Sequence, residues 1–406
     1  MRLLIADKLH PQAVEELRTL PVEVSYEPNL TKEDLEAKLP GVGILIVRST
    51  EVTEKAIEGT RTLALIVRAG LTTSAIDVRA ASRNGVYVAN CPGKNAGAVA
   101  ELVFGFMVAL DRRIPDAVQS LRAGRFERAE YARAEGLHGK TLGVAGFGAI
   151  GREVAMRAKA FGLHTVVWSR SMTAARAAEV GVAHAASLEE LAARSNVLSL
   201  HLGLTDRTNG IVGKRVFDAL PQRAMFINTA RAALVDHDAM LAAVRDRQLR
   251  VALDVYPDEP APGADYPNVM FHEASADGGF VYGTPHIAAS TDQAQLAVAT
   301  ETVRVIRSFL LQGTVPNVVN LSHATLARFQ LVIRMQDKVG TFANVLGVIK
   351  RHGINIEEVT NHVFEGGTAA CAKLRVVTRP SEACLREIKA FDEVLHVDVV
   401  TLPSLA

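Results

Sequence analysis

The sequence predicts an α/β protein: two doubly wound parallel-sheet domains followed by a smaller βαββαβ unit. Three observations carry this. Short β-like runs alternate with helical stretches twice, over residues 1–95 and 141–285, the pattern that builds parallel sheets with helices on both faces. The second alternation opens on Gly146, Gly148 and Gly151 of GFGAIG, between an apolar run and a helical stretch. Residues 329–402 read strand, helix, strand, hairpin turn, strand, helix, strand, a split βαβ arrangement.

Taken in order, the β-like runs of the first part are Leu3–Ala6, Val22–Tyr26, Ile44–Val47, Leu63–Val67 and Val86–Val88, with helical stretches such as Gln12–Thr19 and Lys32–Leu39 between them. Asn95 to Leu110 places Ala98, Leu102, Phe106 and Leu110 on one helical face. In the second part His164–Trp168, Val197–Leu200, Ala224–Ile227 and Val251–Val255 read as strands. Asp292 to Leu310 reads as a long helix, expected to return to the first lobe and make the first domain discontinuous. The expected division is 1–96 with 286–318, then 97–285, a linker over 319–328, and a last unit over 329–406.

The 406 residues suffice for two or three domains, and 49% hydrophobic with 22% charged residues suits a globular chain. A net charge of +1 gives no ground for a nucleic-acid or membrane-surface partner. Cys91, Cys371 and Cys384 lie far apart, without metal or redox spacing. A disulfide framework and a metal site are therefore not expected, and a reducing cytoplasm fits best. The N-terminus runs straight into a strand without a signal-peptide pattern, and no apolar run reaches spanning length.

The glycine turn carries the first chemical reading. Its first glycine permits the tight turn, its second lets backbone approach a pyrophosphate, and its third lets helix pack close to strand. Ala149 and Ile150 then open a helix whose free N–H groups and positive dipole end suit phosphates. A Rossmann-like dinucleotide site is expected. An NAD site ordinarily ends its second strand with an acid for the ribose hydroxyls. Here that place holds Ser169, followed by Arg170. Without the carboxylate a 2′-phosphate is no longer repelled, so the reading admits NAD or NADP and favours NADP.

Further motifs are VRST at 47–50, VRAG at 67–70, INTAR at 227–231, ALDVYPDEP at 252–260 and TPHIAAS at 284–290. On these, in this order and spacing, the chain resembles the D-isomer-specific 2-hydroxyacid dehydrogenases, and among them those acting on 3-phosphoglycerate. The resemblance implies hydride transfer between NAD(P) and C2 of a D-2-hydroxy acid. Residue by residue it makes His286 the base, Glu259 its carboxylate partner, and Arg231 the fork that binds the substrate carboxylate. Asp254 would contact the nicotinamide carboxamide, and Thr229 would line the nicotinamide. Arg48, Arg68, Gly70 and Asn95 would bind substrate, with Lys94 nearby. Runner-up readings are a hydroxypyruvate or glyoxylate reductase and, from another class, a non-catalytic dinucleotide-sensing protein.

Residues 329–406 resemble an ACT domain, a ferredoxin-like regulatory module, through DKVGTFA at 337–343 and GINI at 353–356. That implies an amino-acid effector, commonly serine; the pairing typical of the dehydrogenases implies a homodimer, or a homotetramer through the C-terminal units. The sequence departs from the family in several places. Met335 and Asp337 stand where serine-inhibited relatives carry ligand side chains. Ala232 replaces the usual Gly, and Leu71 a small or hydroxylated residue. Residues 271–283, FHEASADGGFVYG, read as an inserted loop near the mouth of the site.

Overall fold

The computed structural model describes residues 1–260, 263–266, 270, 278–322 and 326–403. They fall into two compact units, Met1–Asn320 and Leu321–Ala406.

The larger unit is built on two parallel sheets. The first contains β1 (Arg2–Ile5), β2 (Glu23–Tyr26), β3 (Val42–Val47), β4 (Leu65–Arg68) and β5 (Tyr87–Ala89), in the order β2-β1-β3-β4-β5. Every residue of β3 is buried, as a continuous apolar run with helices on both faces must be. Leu35, Leu39 and Ile57 cover one face; Val14 and Leu17 cover the other, together with Val303 and Ile306. The last two belong to the helix Asp292–Gln312, so the chain returns to the first sheet after the second is complete. Thr291 caps this helix by accepting from the Ala294 N–H, and Gly313 ends it at φ 66°.

The second sheet contains β6 (Thr141–Ala145), β7 (His164–Trp168), β8 (Ala183–His184), β9 (Val197–Leu200), β10 (Met225–Asn228), β11 (Arg250–Leu253) and β12 (Phe280–Gly283). Its order is β12-β11-β10-β9-β6-β7-β8, with the direction of winding reversing between β6 and β9. The helix Ala96–Arg112 lays Val103, Met107 and Leu110 against Val144 and Ile227 on one face.

β12 corrects the reading of 271–283 as a loop throughout. Phe280–Gly283 pairs in parallel with β11 from Arg250↔Phe280 to Leu253↔Gly283 and buries Val281. The flanking glycines look like loop, but Gly279 is glycine for another reason: a Cβ there would stand 2.1 Å from the Val244 carbonyl oxygen. Residues 271–277 lie outside the described residues.

The smaller unit is an antiparallel sheet of β13 (Phe329–Gln336), β14 (Ile356–Val363), β15 (Ala369–Val376) and β16 (Val394–Thr401), in the order β14-β15-β13-β16. The helices Thr341–Arg351 and Glu382–Lys389 close one face over Leu331, Ile333 and Leu374. Met335 is 2% exposed and packs with Ala370 and Ala372, so the core explains its side chain. Among the described residues no helix is long and apolar enough to cross a membrane.

Candidate active site

In open α/β sheets the loops beyond the carboxyl ends of the strands diverge where the winding reverses, leaving a crevice. Both sheets have one, and both crevices open into a single cavity of about 850 Å³ within the larger unit.

On the first sheet the reversal lies between β1 and β3. Asp7, just after β1, accepts the backbone N–H groups of Arg48, Ser49 and Thr50 at 2.7, 3.0 and 3.0 Å, and the Ser49 hydroxyl at 2.8 Å. Burial works to raise its pKa, and these donors together bring it below the ordinary aspartate value. The tie fixes the loop bearing Arg48. Arg68 ends β4 and folds over Gly70, where a Cβ would meet its guanidinium at 1.7 Å. Burial, with repulsion from Arg48 and Arg231, lowers the Arg68 pKa, and its buried Nε has no partner among the described residues. Arg48, Arg68, Gly70 and Asn95 all line the cavity. Lys94 is spoken for: it pairs with Glu301 at 3.2 Å, and Glu301 also accepts from Arg304 and Asn317.

On the second sheet the glycine turn follows β6. Gly146 has φ 100°, and a Cβ there would lie 2.5 Å from the His201 carbonyl oxygen. A Cβ on Gly151 would lie 2.1 Å from the Gly146 oxygen. A Cβ on Gly148 would meet nothing within 4 Å, and Gly148, Ala149 and Ile150 line the cavity. The helix Ala149–Ala160 has no side-chain cap, so its first N–H groups are left for a ligand. Thr229 is 7% exposed, lines the same cavity, and has a buried hydroxyl without a partner among the described residues. Tight glycines beneath, open backbone above, a bare helix end and an orphaned hydroxyl fit a dinucleotide. Ser169 and Arg170 follow β7, with Ser169 half-buried and Arg170 exposed.

His286 and Glu259 come together from loops after β12 and β11. His286 Nδ1 stands 2.7 Å from Glu259 Oε2. A carboxylate only accepts, so Nδ1 carries the proton and Nε2 is left as the acceptor. The second carboxylate oxygen of Glu259 accepts the Tyr256 N–H at 3.0 Å. His286 and Asp258 hold φ values of 54° and 55°, left-handed backbone that the surrounding bonds must sustain. Arg231 lines the cavity with His286 and donates to the Ala230 carbonyl at 2.6 Å. Its loop is braced by Asn228, which accepts the Ala230 N–H and donates to the Arg231 carbonyl, each at 3.0 Å. Ala232 begins a short 3₁₀ turn without positive φ, so the backbone there does not call for glycine.

Residues 104–288 match the model of the D-isomer specific 2-hydroxyacid dehydrogenase NAD binding domain. The D-3-phosphoglycerate dehydrogenase of Methanocaldococcus jannaschii is 37% identical over 323 residues, 79% of this chain and 60% of that one. Residues 104–288 therefore carry the NAD binding domain of the D-isomer specific 2-hydroxyacid dehydrogenases. The chain spans less than two thirds of the length of the curated relatives first matched. Among solved structures, the NAD⁺-bound 3-phosphoglycerate dehydrogenase of Entamoeba histolytica superposes with a TM-score of 0.63 at 28% identity, covering 79% of this chain and 99% of that one. An acyclic imino acid reductase complexed with NADPH superposes with a TM-score of 0.67 at 25% identity, covering 79% of this chain and 100% of that one.

In this site Asp254 does something the motif did not suggest. It is fully buried, and its carboxylate accepts the Thr284 hydroxyl at 2.6 Å and the N–H groups of Ile287 and Ala288 at 2.8 and 2.9 Å. It thereby hangs the His286 loop from the end of β11. Asp254→Asn turns one acceptor into a donor facing an N–H. It is expected to cost about 1–3 kcal/mol of stability and to lower kcat more than it raises KM, as thermal melting and steady-state kinetics would record.

Three further groups were missed by sequence reasoning: Asn228, Tyr256 and His201. The Tyr256 hydroxyl lies 2.9 Å from the carbonyls of both Leu253 and Thr284, tying the ends of β11 and β12. His201, after β9, lines the cavity; its Nε2 meets the Ser199 hydroxyl at 2.9 Å and its buried Nδ1 has no partner among the described residues. Burial pushes its pKa down to about 3, so the ring is neutral. Only the LSLH sequence at the end of a buried strand hinted at it.

Proposed function

We propose that the chain is an NAD(P)-dependent D-3-phosphoglycerate dehydrogenase, interconverting 3-phosphoglycerate and 3-phosphohydroxypyruvate. The observation that carries this reading is the 2.7 Å His286–Glu259 pair, whose histidine shares one cavity with Arg231 and the glycine turn. His286 Nε2 takes the C2 hydroxyl proton, and Glu259 stabilises the imidazolium that results. The Arg231 fork holds the substrate carboxylate and steadies charge on the C2 oxygen. The nicotinamide, when bound, takes or returns the hydride. Arg48 and Arg68, without carboxylate partners among the described residues, favour a phosphorylated acid over a smaller one. Leu71, 39% exposed on the cavity wall, favours the second reading, a hydroxypyruvate or glyoxylate reductase. A panel of 2-oxo acids followed by NAD(P)H absorbance decides: highest kcat/KM on 3-phosphohydroxypyruvate upholds the first reading, highest on glyoxylate or hydroxypyruvate the second. No turnover at all leaves the dinucleotide-sensing alternative.

We read the cofactor as NADP in preference to NAD, on Ser169 and the exposed Arg170 in place of an acid after β7. A guanidinium paired with a 2′-phosphate contributes about 1.5–3 kcal/mol. Arg170→Ala is therefore expected to lower kcat/KM with NADPH by about 10–100-fold and to leave NADH little changed. A wild-type enzyme that strongly prefers NADH, with Arg170→Ala no different, defeats this reading. Exposed Ile114, Val118 and Leu121 on the helix Ile114–Arg122, beside Phe126 at 83% exposure, support assembly as a homo-oligomer.

A further inference from the structure

The crevice of the first sheet holds two residues that no motif drew attention to. Lys8, Leu9 and His10 follow β1, and Arg48 follows β3, so they flank the β1/β3 reversal. The Asp7 tie to residues 48–50 holds the two loops side by side. Lys8, His10 and Arg48 all line the cavity. Lys8 makes no ion pair among the described residues, unlike Lys94, which Glu301 neutralises. His10 caps the helix Pro11–Arg18 by accepting the Gln12 N–H on Nδ1 at 3.3 Å. A ring nitrogen that accepts carries no proton, so Nε2 is an N–H donor.

The charge balance of the cavity then becomes one-sided. Among the described lining residues the one carboxylate is Asp254, and three donors of the His286 loop already occupy it. Arg231 shares its part of the cavity with His286 and suits the carboxylate at the reacting carbon. Arg68 is close enough to both Arg231 and Arg48 to feel their charge. Lys8 and Arg48 make no ion pair among the described residues, His10 adds a neutral donor, and the neighbouring Asp7 carboxylate is taken up by the N–H groups of residues 48–50. Two unpaired cations facing one crevice make it suited to an anionic ligand.

We infer that Lys8 and His10, together with Arg48, form the subsite that receives the terminal phosphate of the substrate and select it over unphosphorylated acids. The inference rests on the dehydrogenase reading above and deepens it. Lys8 supplies a mobile ammonium, Arg48 a planar fork, and His10 a neutral donor whose orientation the helix cap fixes.

The test compares 3-phosphohydroxypyruvate with hydroxypyruvate, which differ by the phosphate, in the full-length wild type, Lys8→Ala and Lys8→Arg. The ratio of kcat/KM for the phosphorylated over the plain acid is expected to fall about tenfold in Lys8→Ala, mainly through KM, and to recover in Lys8→Arg. His10→Ala is expected to lower the same ratio by a smaller factor. Equal losses on both acids, or no loss on either, overturn the subsite while leaving the dehydrogenase reading intact. A wild type that turns over hydroxypyruvate but not the phosphorylated acid overturns it as well. A wild type inactive on every 2-oxo acid overturns the dehydrogenase reading and this inference with it.

Discussion

Replacing His286 by Asn should lower kcat by about 10³-fold, with KM changed only a few-fold. Asn is the informative choice because residue 286 sits at φ 54°, and Asn tolerates left-handed backbone better than most residues. The loop should therefore keep its course, held by Asp254 through Ile287 and Ala288. What is lost is the ring nitrogen placed to take the substrate proton, with the Glu259 carboxylate 2.7 Å from the other nitrogen to stabilise the charge that results. Steady-state kinetics in both directions, with a melting curve to show an unchanged fold, make the measurement. A kcat within tenfold of wild type would remove His286 as the base.

Arg231→Lys should lower kcat/KM by about 10²–10³-fold, although the positive charge is kept. The ammonium offers one centre of charge where the guanidinium offers two parallel N–H donors to a planar carboxylate. Losing one partner of a charged hydrogen-bonded pair in a shielded cleft typically costs about 2–5 kcal/mol. The substitution should leave the fold alone: Asn228 braces this loop through the backbone of Ala230 and Arg231, which the side chain does not alter. A lysine variant with near-normal kcat/KM would mean that the carboxylate is bound elsewhere.

Much of this was open to reading in the amino-acid sequence because it is local. β7 and β9 have the bounds that the apolar runs suggest, His164–Trp168 and Val197–Leu200. The glycine spacing, the DEP stretch and the TPH stretch identify the elements that bear the cavity's chemistry. What could not be read depends on contacts between distant segments. Phe280–Gly283 is a strand because β11 offers it an edge, whereas its own glycines argue for a loop. Lys94 looks like an open cation until the helix Asp292–Gln312 brings Glu301 beside it. Asp254 reads as a cofactor contact, and only the fold shows that the returning loop also lays three donors on its carboxylate. Lys8 and His10 are unremarkable in sequence and acquire meaning only because β1 and β3 are neighbours. The short helices Glu54–Glu58 and Lys214–Ala219 are too brief to show a periodicity, yet Ile57 and Phe217 from them are fully buried.

The placing of one crevice on each sheet has a consequence for how this chain can vary. Arg170 and the glycine turn belong to one lobe, Lys8 and Arg48 to the other, and no strand is shared between them. Changes at such separated places add up without interfering. On the proposed function, taste for the coenzyme and taste for the acid can thus drift independently over generations, and a designer can retune either one while the His286–Glu259 pair stays as it is.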